Sequence, residues 1–177
     1  MVAQSFAERP AAITFQKAPM TLVGSELRVG DKAPDFALAT KTMAPFTLDD
    51  AVAGGTKSAL LIVVPSLDTQ TCSLETQTFH KRLSELPPDV DAYIVSLDLP
   101  FAQQRWAAAN EALQLTYLSD YRDRGFGPAY GVFIKEIGLL ARAVFVVRPD
   151  KTLAYAATVK EVADEPNYDE VFAAVKS

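Results

Sequence analysis

Residues 58–64, Ser-Ala-Leu-Leu-Ile-Val-Val, closed by Pro65, constrain the fold of this chain more than any other stretch. Successive residues of a strand point to opposite faces, so a run with almost no polar member must be covered on both sides. It therefore reads as an interior strand of a parallel sheet. After an irregular 66–71 the period changes: Cys72, Thr76, Phe79, Leu83 and Leu86 lie at steps of 4, 3, 4 and 3 until Pro87-Pro88. That spacing predicts an amphipathic helix with Cys72 in its first turn, on the inward face. Residues 92–99 read as a second buried strand, and 101–113, which carry the single Trp, Trp106, as a second helix. Strand, helix, strand, helix predicts an α/β sheet with right-handed crossovers.

The flanks add to this unit. Residues 1–12 show no period and read as an irregular extension, so the domain is expected to run over 13–177. Residues 13–15 and 21–23 flank Gln16-Lys17-Ala18-Pro19, a β-hairpin with Pro in its turn. Gly30 to Pro34 is a break before a short strand at 36–38, and Gly54-Gly55-Thr56-Lys57-Ser58 reads as a turn, because a phosphate-binding loop would follow a strand and open a helix. A loop-rich 119–131 leads to 141–147 and 152–159, an antiparallel hairpin around Arg148-Pro149-Asp150-Lys151, and 167–176 closes as an amphipathic helix. Parallel strands, a hairpin and helices on both faces describe a thioredoxin-like α/β domain, whose strand order the pattern leaves open.

Composition narrows the chemistry. Seventeen Lys and Arg against 22 Asp and Glu give a net charge of −5 in 177 residues, which disfavours a nucleic-acid partner. No apolar stretch approaches the roughly 20 residues of a membrane span, and the first dozen residues lack an apolar signal core. A soluble, cytoplasmic protein is expected. One Cys, Cys72, excludes an internal disulfide and a thiolate-rich metal site, and one His, His80, excludes the usual His-rich constellations, so neither metal nor cofactor is expected. His80, eight residues past Cys72, faces about 80° away on a helix of about 100° per residue and reads as a solvated side chain.

A lone intracellular Cys is usually a small buried hydrophobe. In the first turn of a helix, however, unpaired N–H groups and the positive end of the dipole stabilise a thiolate, so Cys72 is a candidate nucleophile. Thr69 can hydrogen-bond the sulfur or a bound oxygen, or it can cap the helix and close the turn. Pro65 can wall the thiol from water, or simply stop the strand. Arg142 stands inside the apolar run 139–147. It pairs either with an inward anion or with a surface carboxylate.

The sequence Pro65-Ser66-Leu67-Asp68-Thr69-Gln70-Thr71-Cys72 resembles the PxxxTxxC motif of peroxiredoxins, and its longer form PSLDTxxC is similar to the atypical thiol peroxidase (Tpx) subfamily. The stretches 30–36, 98–103, 138–146 and 165–168 match in order. This resemblance implies a thioredoxin-like (peroxiredoxin) fold with an extra N-terminal β-hairpin, a homodimer, and reduction of hydrogen peroxide and organic hydroperoxides without metal, haem or flavin. It makes Cys72 the peroxidatic cysteine, Thr69 the residue that orients the peroxide, Pro65 the shield and Arg142 the arginine that completes the site. It also implies local unwinding of the Cys72 helix once a sulfenic acid has formed.

The departure is at Ala107, where the subfamily carries its resolving cysteine directly after the aromatic residue. Resolution then falls to a thiol from elsewhere: a small thiol such as glutathione, a Cys of thioredoxin or glutaredoxin, or, least favoured for a recessed thiol, Cys72 of a second chain. Ala107 is either natural or a replacement that traps a two-Cys enzyme, and a peroxide-responsive sensor that is not rapidly recycled is the alternative function. A dimeric structural protein with an inert core Cys is a third reading. Asp120, Arg122, Asp123 and Arg124 read as a solvated cluster, beside which Tyr121, Phe126 and Tyr130 line a hydroperoxide entrance or a dimer contact. Trp106 and Phe101 read as core or interface residues.

Overall fold

The computed structural model describes residues 6–177. Its elements are β1 (Glu8–Phe15), β2 (Ala18–Val23), β3 (Ala37–Ala39), β4 (Pro45–Thr47), α1 (Leu48–Ala51), β5 (Ser58–Val63), α2 (Gln70–Lys81), a 3-10 turn at Leu83–Glu85, β6 (Val90–Ser96) and α3 (Pro100–Ala109). There follow β7 (Thr116–Ser119), α4 (Phe126–Ala129), β8 (Phe133–Ile134), β9 (Leu139–Leu140), β10 (Ala143–Val147), β11 (Leu153–Thr158) and α5 (Tyr168–Ala174). Seven strands form one sheet in the order β11-β10-β5-β6-β7-β3-β4, and β1-β2-β8-β9 form a second.

The apolar run is the centre of the large sheet. β5 pairs parallel with β6 and antiparallel with β10, so Leu61 lies between Tyr93 and Phe145. Ala59, Leu61 and Val63 enter one core with Phe126, Tyr130, Ile13 and Leu22. Leu60, Ile62 and Val64 enter the other with Phe79, Trp106 and Phe172. Both faces of one strand are thus buried, each large aliphatic side chain contributing about 1.5–3 kcal/mol. The thioredoxin-like fold with its extra N-terminal hairpin is what the sequence predicts.

Boundaries differ in several places. β1 begins at Glu8, so residues 8–12 are strand where an irregular extension is expected, with a bulge at Ala11, whose φ is 52°. Residues 1–5 of that extension lie outside the described residues. The β1–β2 turn is only Gln16 and Lys17, both at positive φ, and Ala18 and Pro19 belong to β2. α2 stops at Lys81; Leu83 lies on the 3-10 turn and Leu86 just beyond it. α3 ends at Ala109, because the Asn110 side chain donates to the Trp106 carbonyl and Glu111 takes a φ of 53°.

Side-chain surroundings differ too. Asp120 is buried, not solvated: its carboxylate accepts the amides of Phe126 and Gly127 at 3.1 and 3.0 Å. Phe126 and Tyr130 stack on each other within the core, with Phe36 and Phe145 around them, so they do not form an entrance to Cys72. His80 is half-buried, with Nε2 at 2.6 Å from the Gln114 side-chain oxygen. Trp106 is core, while Phe101 is 66% exposed. No helix among the described residues is long and apolar enough to cross a membrane.

Candidate active site around Cys72

β5 ends at Val63, and the chain leaves the sheet through Val64 and a buried Pro65. The next turn is held from the side by Asp98, which follows β6. One carboxylate oxygen accepts the Ser66 hydroxyl at 2.7 Å, and the other accepts the Leu67 amide and the Ser96 hydroxyl, each at 2.9 Å. The Thr69 amide and hydroxyl both donate to the Ser66 carbonyl, at 3.1 and 2.9 Å. Thr69 occupies the N-cap position of α2 but makes no side-chain capping bond. Of its two bland roles, closing the turn is the one observed.

Cys72 is the third residue of α2, where backbone N–H groups have no intrahelical acceptor. Its sulfur faces inward, and the residue is 1% exposed. Arg142, on the segment between β9 and β10, reaches it from the opposite wall: Nη2 donates to Cys72 Sγ at 3.4 Å. The guanidinium is fixed by the Val162 carbonyl, which accepts from Nε at 3.2 Å and from Nη2 at 3.0 Å, and by an ion pair from Nη1 to the Glu75 carboxylate. Burial works against the charge of Arg142. The Glu75 carboxylate and the Cys72 sulfur outweigh it and hold the guanidinium above its ordinary value.

The four residues singled out from the sequence therefore fall into two groups. Cys72 and Arg142 are in direct contact, and Pro65 and Thr69 bracket the turn that delivers Cys72. In this conformation the Thr69 hydroxyl is committed to Ser66 and makes no bond to the sulfur.

Glu75 is the residue that sequence reasoning missed. It is fully buried and lies one helical turn after Cys72 on the same face. A carboxylate at an inward position of α2 was the available signal. The inward anion demanded by Arg142 is this residue, 67 positions away in sequence. Burial pushes its carboxyl up to about 7, despite the opposing pull of Arg142. Its Oε1 has no hydrogen-bond partner among the described residues.

Two surface cavities, of about 510 and 650 Å3, are lined in part by Phe46, Leu113 and Tyr117 and by Phe36, Asp120 and Phe126; neither includes Cys72, Thr69, Pro65 or Arg142. Among the described residues no three His, Cys, Asp or Glu side chains converge to hold a metal ion.

Residues 29–156 match the AhpC/TSA family. The chain belongs to that family. A thiol peroxidase from Halalkalibacterium halodurans is 45% identical over 167 residues, covering 94% of this chain and 98% of the relative. The thiol peroxidase of Bacillus subtilis is 44% identical with the same coverage. A peroxiredoxin-like protein of Aquifex aeolicus superimposes with a TM-score of 0.85 at 40% identity, over 95% of this chain and 98% of that one. The likeness that begins at PSLDTxxC thus extends over nearly the whole chain, within an AhpC/TSA protein that has a single cysteine.

Proposed function

We propose that the chain is a thiol-dependent peroxidase in which Cys72 attacks hydrogen peroxide or an organic hydroperoxide. The observation that carries this reading is the Arg142 guanidinium 3.4 Å from a sulfur in the first turn of a helix. Both features favour the thiolate, and both supply positive charge where the departing oxygen becomes negative. In the first step the sulfur–oxygen bond forms as the O–O bond breaks. Sulfur gives up two electrons, leaving Cys72 as a sulfenic acid, and the alkoxide or hydroxide takes a proton from solvent. Thr69, once its hydroxyl turns from the Ser66 carbonyl, orients the peroxide, while Pro65 keeps water from the thiolate.

No second cysteine exists to form an internal disulfide, and Ala107 is fully buried in the apolar cluster that contains Cys72. An external thiol condenses with the sulfenic acid, releasing water, and a second one reduces the mixed disulfide. Glutathione, thioredoxin and glutaredoxin have the required chemistry. Because Cys72 is closed in its pocket, the first turn of α2 must open for that encounter, and the missing N-cap bond lowers the cost. A reaction that consumes reduced thiols suits the cytoplasm. The exposed apolar residues Leu74, Leu99 and Phe101 on α2 and at the start of α3 suit a homodimer.

Stopped-flow oxidation by cumene hydroperoxide, followed through Trp106 fluorescence and intact mass and repeated with excess glutathione or dithiothreitol, tests this reading. Rapid uptake of one oxygen, multiple turnovers with thiol, and loss of both in Cys72→Ser are expected. Rapid oxidation that stops after one equivalent in the presence of thiol favours the sensor reading, to which the single cysteine also lends itself. Slow oxidation of the wild-type protein overturns both.

A further inference from the structure

Besides its ion pair with Glu75, Arg142 is held by a backbone carbonyl on a segment with little regular structure. Residues 159–167 connect β11 to α5 without a helix or ladder of their own, yet Val162 within them accepts two of the guanidinium's hydrogen bonds. What fixes Val162 is the N-terminal hairpin. Thr14 pairs with this segment through its amide to the Lys160 carbonyl at 2.7 Å and through its carbonyl from the Val162 amide at 2.9 Å. The Glu161 carboxylate, between those two positions, gathers four donors. Oε2 accepts the Thr14 hydroxyl at 2.7 Å and the Lys17 amide at 3.1 Å. Oε1 accepts the Gln16 amide at 3.1 Å and the Ala163 amide of its own segment at 3.2 Å. Gln16 and Lys17 both have positive φ, which turns their amides away from the β1–β2 ladder and toward one carboxylate. The same segment also touches α2, because the Thr71 hydroxyl donates to the Ala163 carbonyl at 3.3 Å.

We propose that Glu161 is a positioning residue for peroxide reduction: by clamping the tip of the β1–β2 hairpin to the 160–163 segment, it holds the Val162 carbonyl where that carbonyl aims the Arg142 guanidinium at Cys72 Sγ. The N-terminal hairpin is then part of the catalytic apparatus without touching substrate. The inference rests on the role given to Arg142 above. The Thr14 hydroxyl and the gathered amides hold the Glu161 carboxyl below its ordinary value, so the clamp stays ionised throughout neutral pH.

Two reactions at the same sulfur separate aim from general integrity. Reduction of a peroxide builds negative charge on a departing oxygen that Arg142 must meet, whereas alkylation by iodoacetamide expels iodide and, at a pH high enough to ionise the thiol in every variant, does not depend on where Arg142 points. In Glu161→Ala the peroxide rate is expected to fall about tenfold or more, as misplacement of a catalytic group by about 1 Å costs up to about a hundredfold. Alkylation should change less than twofold. Glu136→Ala is the control: Glu136 anchors the same hairpin through the Thr21 amide, at 3.0 and 2.9 Å, on β2 and away from the 160–163 segment, and both rates should survive its loss. In an Arg142→Lys background, Glu161→Ala should add little.

Equal losses in both reactions, equal effects of the Glu136 and Glu161 variants, or an unchanged peroxide rate in Glu161→Ala each overturn the proposal. If Glu161→Ala does not fold, Thr14→Val removes one donor at nearly constant shape and should slow peroxide reduction alone. An Arg142→Lys rate equal to wild type overturns the role of Arg142 and the proposal with it. A large Arg142→Lys loss without a Glu161→Ala loss overturns the positioning alone.

Discussion

Glu75 and Arg142 are both removed from water, and each makes the other tolerable. A buried charge left without its partner costs several kcal/mol, and even the pair offsets only part of the desolvation. The consequence is visible at Glu75, whose carboxyl is pushed up to about 7 by burial, against the attraction of Arg142 and with the negative charge of Glu165 adding to the rise. Unfolded, the same group titrates near 4.5. Below that pH both states hold the proton and the stabilisation is fully present. Between 4.5 and about 7 the unfolded chain gives up the proton while the folded one keeps it, so this contribution to stability is lost as pH rises. The urea-unfolding free energy of wild type relative to Glu75→Gln should therefore be larger at pH 5 than at pH 8, by on the order of 1–3 kcal/mol. A difference that grows toward pH 8 would mean that Arg142 keeps Glu75 ionised throughout. An Arg within an apolar run left an inward anion and a surface carboxylate both open; the partner is inward, and that it is Glu75 depends on how α2 lies on the sheet, which local pattern does not encode.

The elements that present Cys72 are joined. Asp98, two residues past the end of β6 and two before α3, binds the turn that opens α2, so one half-buried carboxylate ties that turn to the end of β6. Asp98→Ala leaves the Ser66 hydroxyl and the Leu67 amide without their acceptor, a loss of about 1–3 kcal/mol. The damage should be local. Hydrogen exchange of the amides in 66–74 should accelerate beyond the change in global stability, while peptides from β5 and β6 should follow global stability alone; a uniform acceleration would deny Asp98 its anchoring role. The existence of α2 was legible from its apolar spacing and from the breaks at Pro65 and Pro87-Pro88, and that of α3 from the Ala- and Gln-rich stretch 101–113. Their ends were not. Leu83 and Leu86 continue the helical period although the backbone has already tightened into a 3-10 turn, and Leu113, the expected end of the second helix, is 62% exposed beyond α3. β7, β8 and β9 have four, two and two residues, too short for an alternating pattern to register.

At the scale of the molecule, the 58–64 run specified an interior strand, and the strand is interior. It did not specify that β10 would flank it antiparallel on one side and β6 parallel on the other, since any apolar strand satisfies that demand. The surface poses the converse case. Leu74, Leu99 and Phe101 are 48, 50 and 66% exposed. Leu99 and Phe101 flank Pro100 at the start of α3, beside the turn that Asp98 holds, and Asp68 of that turn lies 3.7 Å from Arg105 of α3. Exposed apolar side chains of this size are what the proposed homodimer would cover. A second copy meeting the start of α3 through a two-fold axis would set Leu99 and Phe101 of one protomer against the same residues of its partner. A stable interface of this kind buries about 800 Å2 on each partner, enough that one charge at its centre is disruptive. Phe101→Glu should therefore shift the protein from dimer to monomer in sedimentation velocity with little change in the unfolding midpoint of the monomer, because Phe101 contributes so little to the core. A variant that sediments as the same dimer would move the interface elsewhere, and a wild-type monomer at micromolar concentration would remove the homodimer altogether.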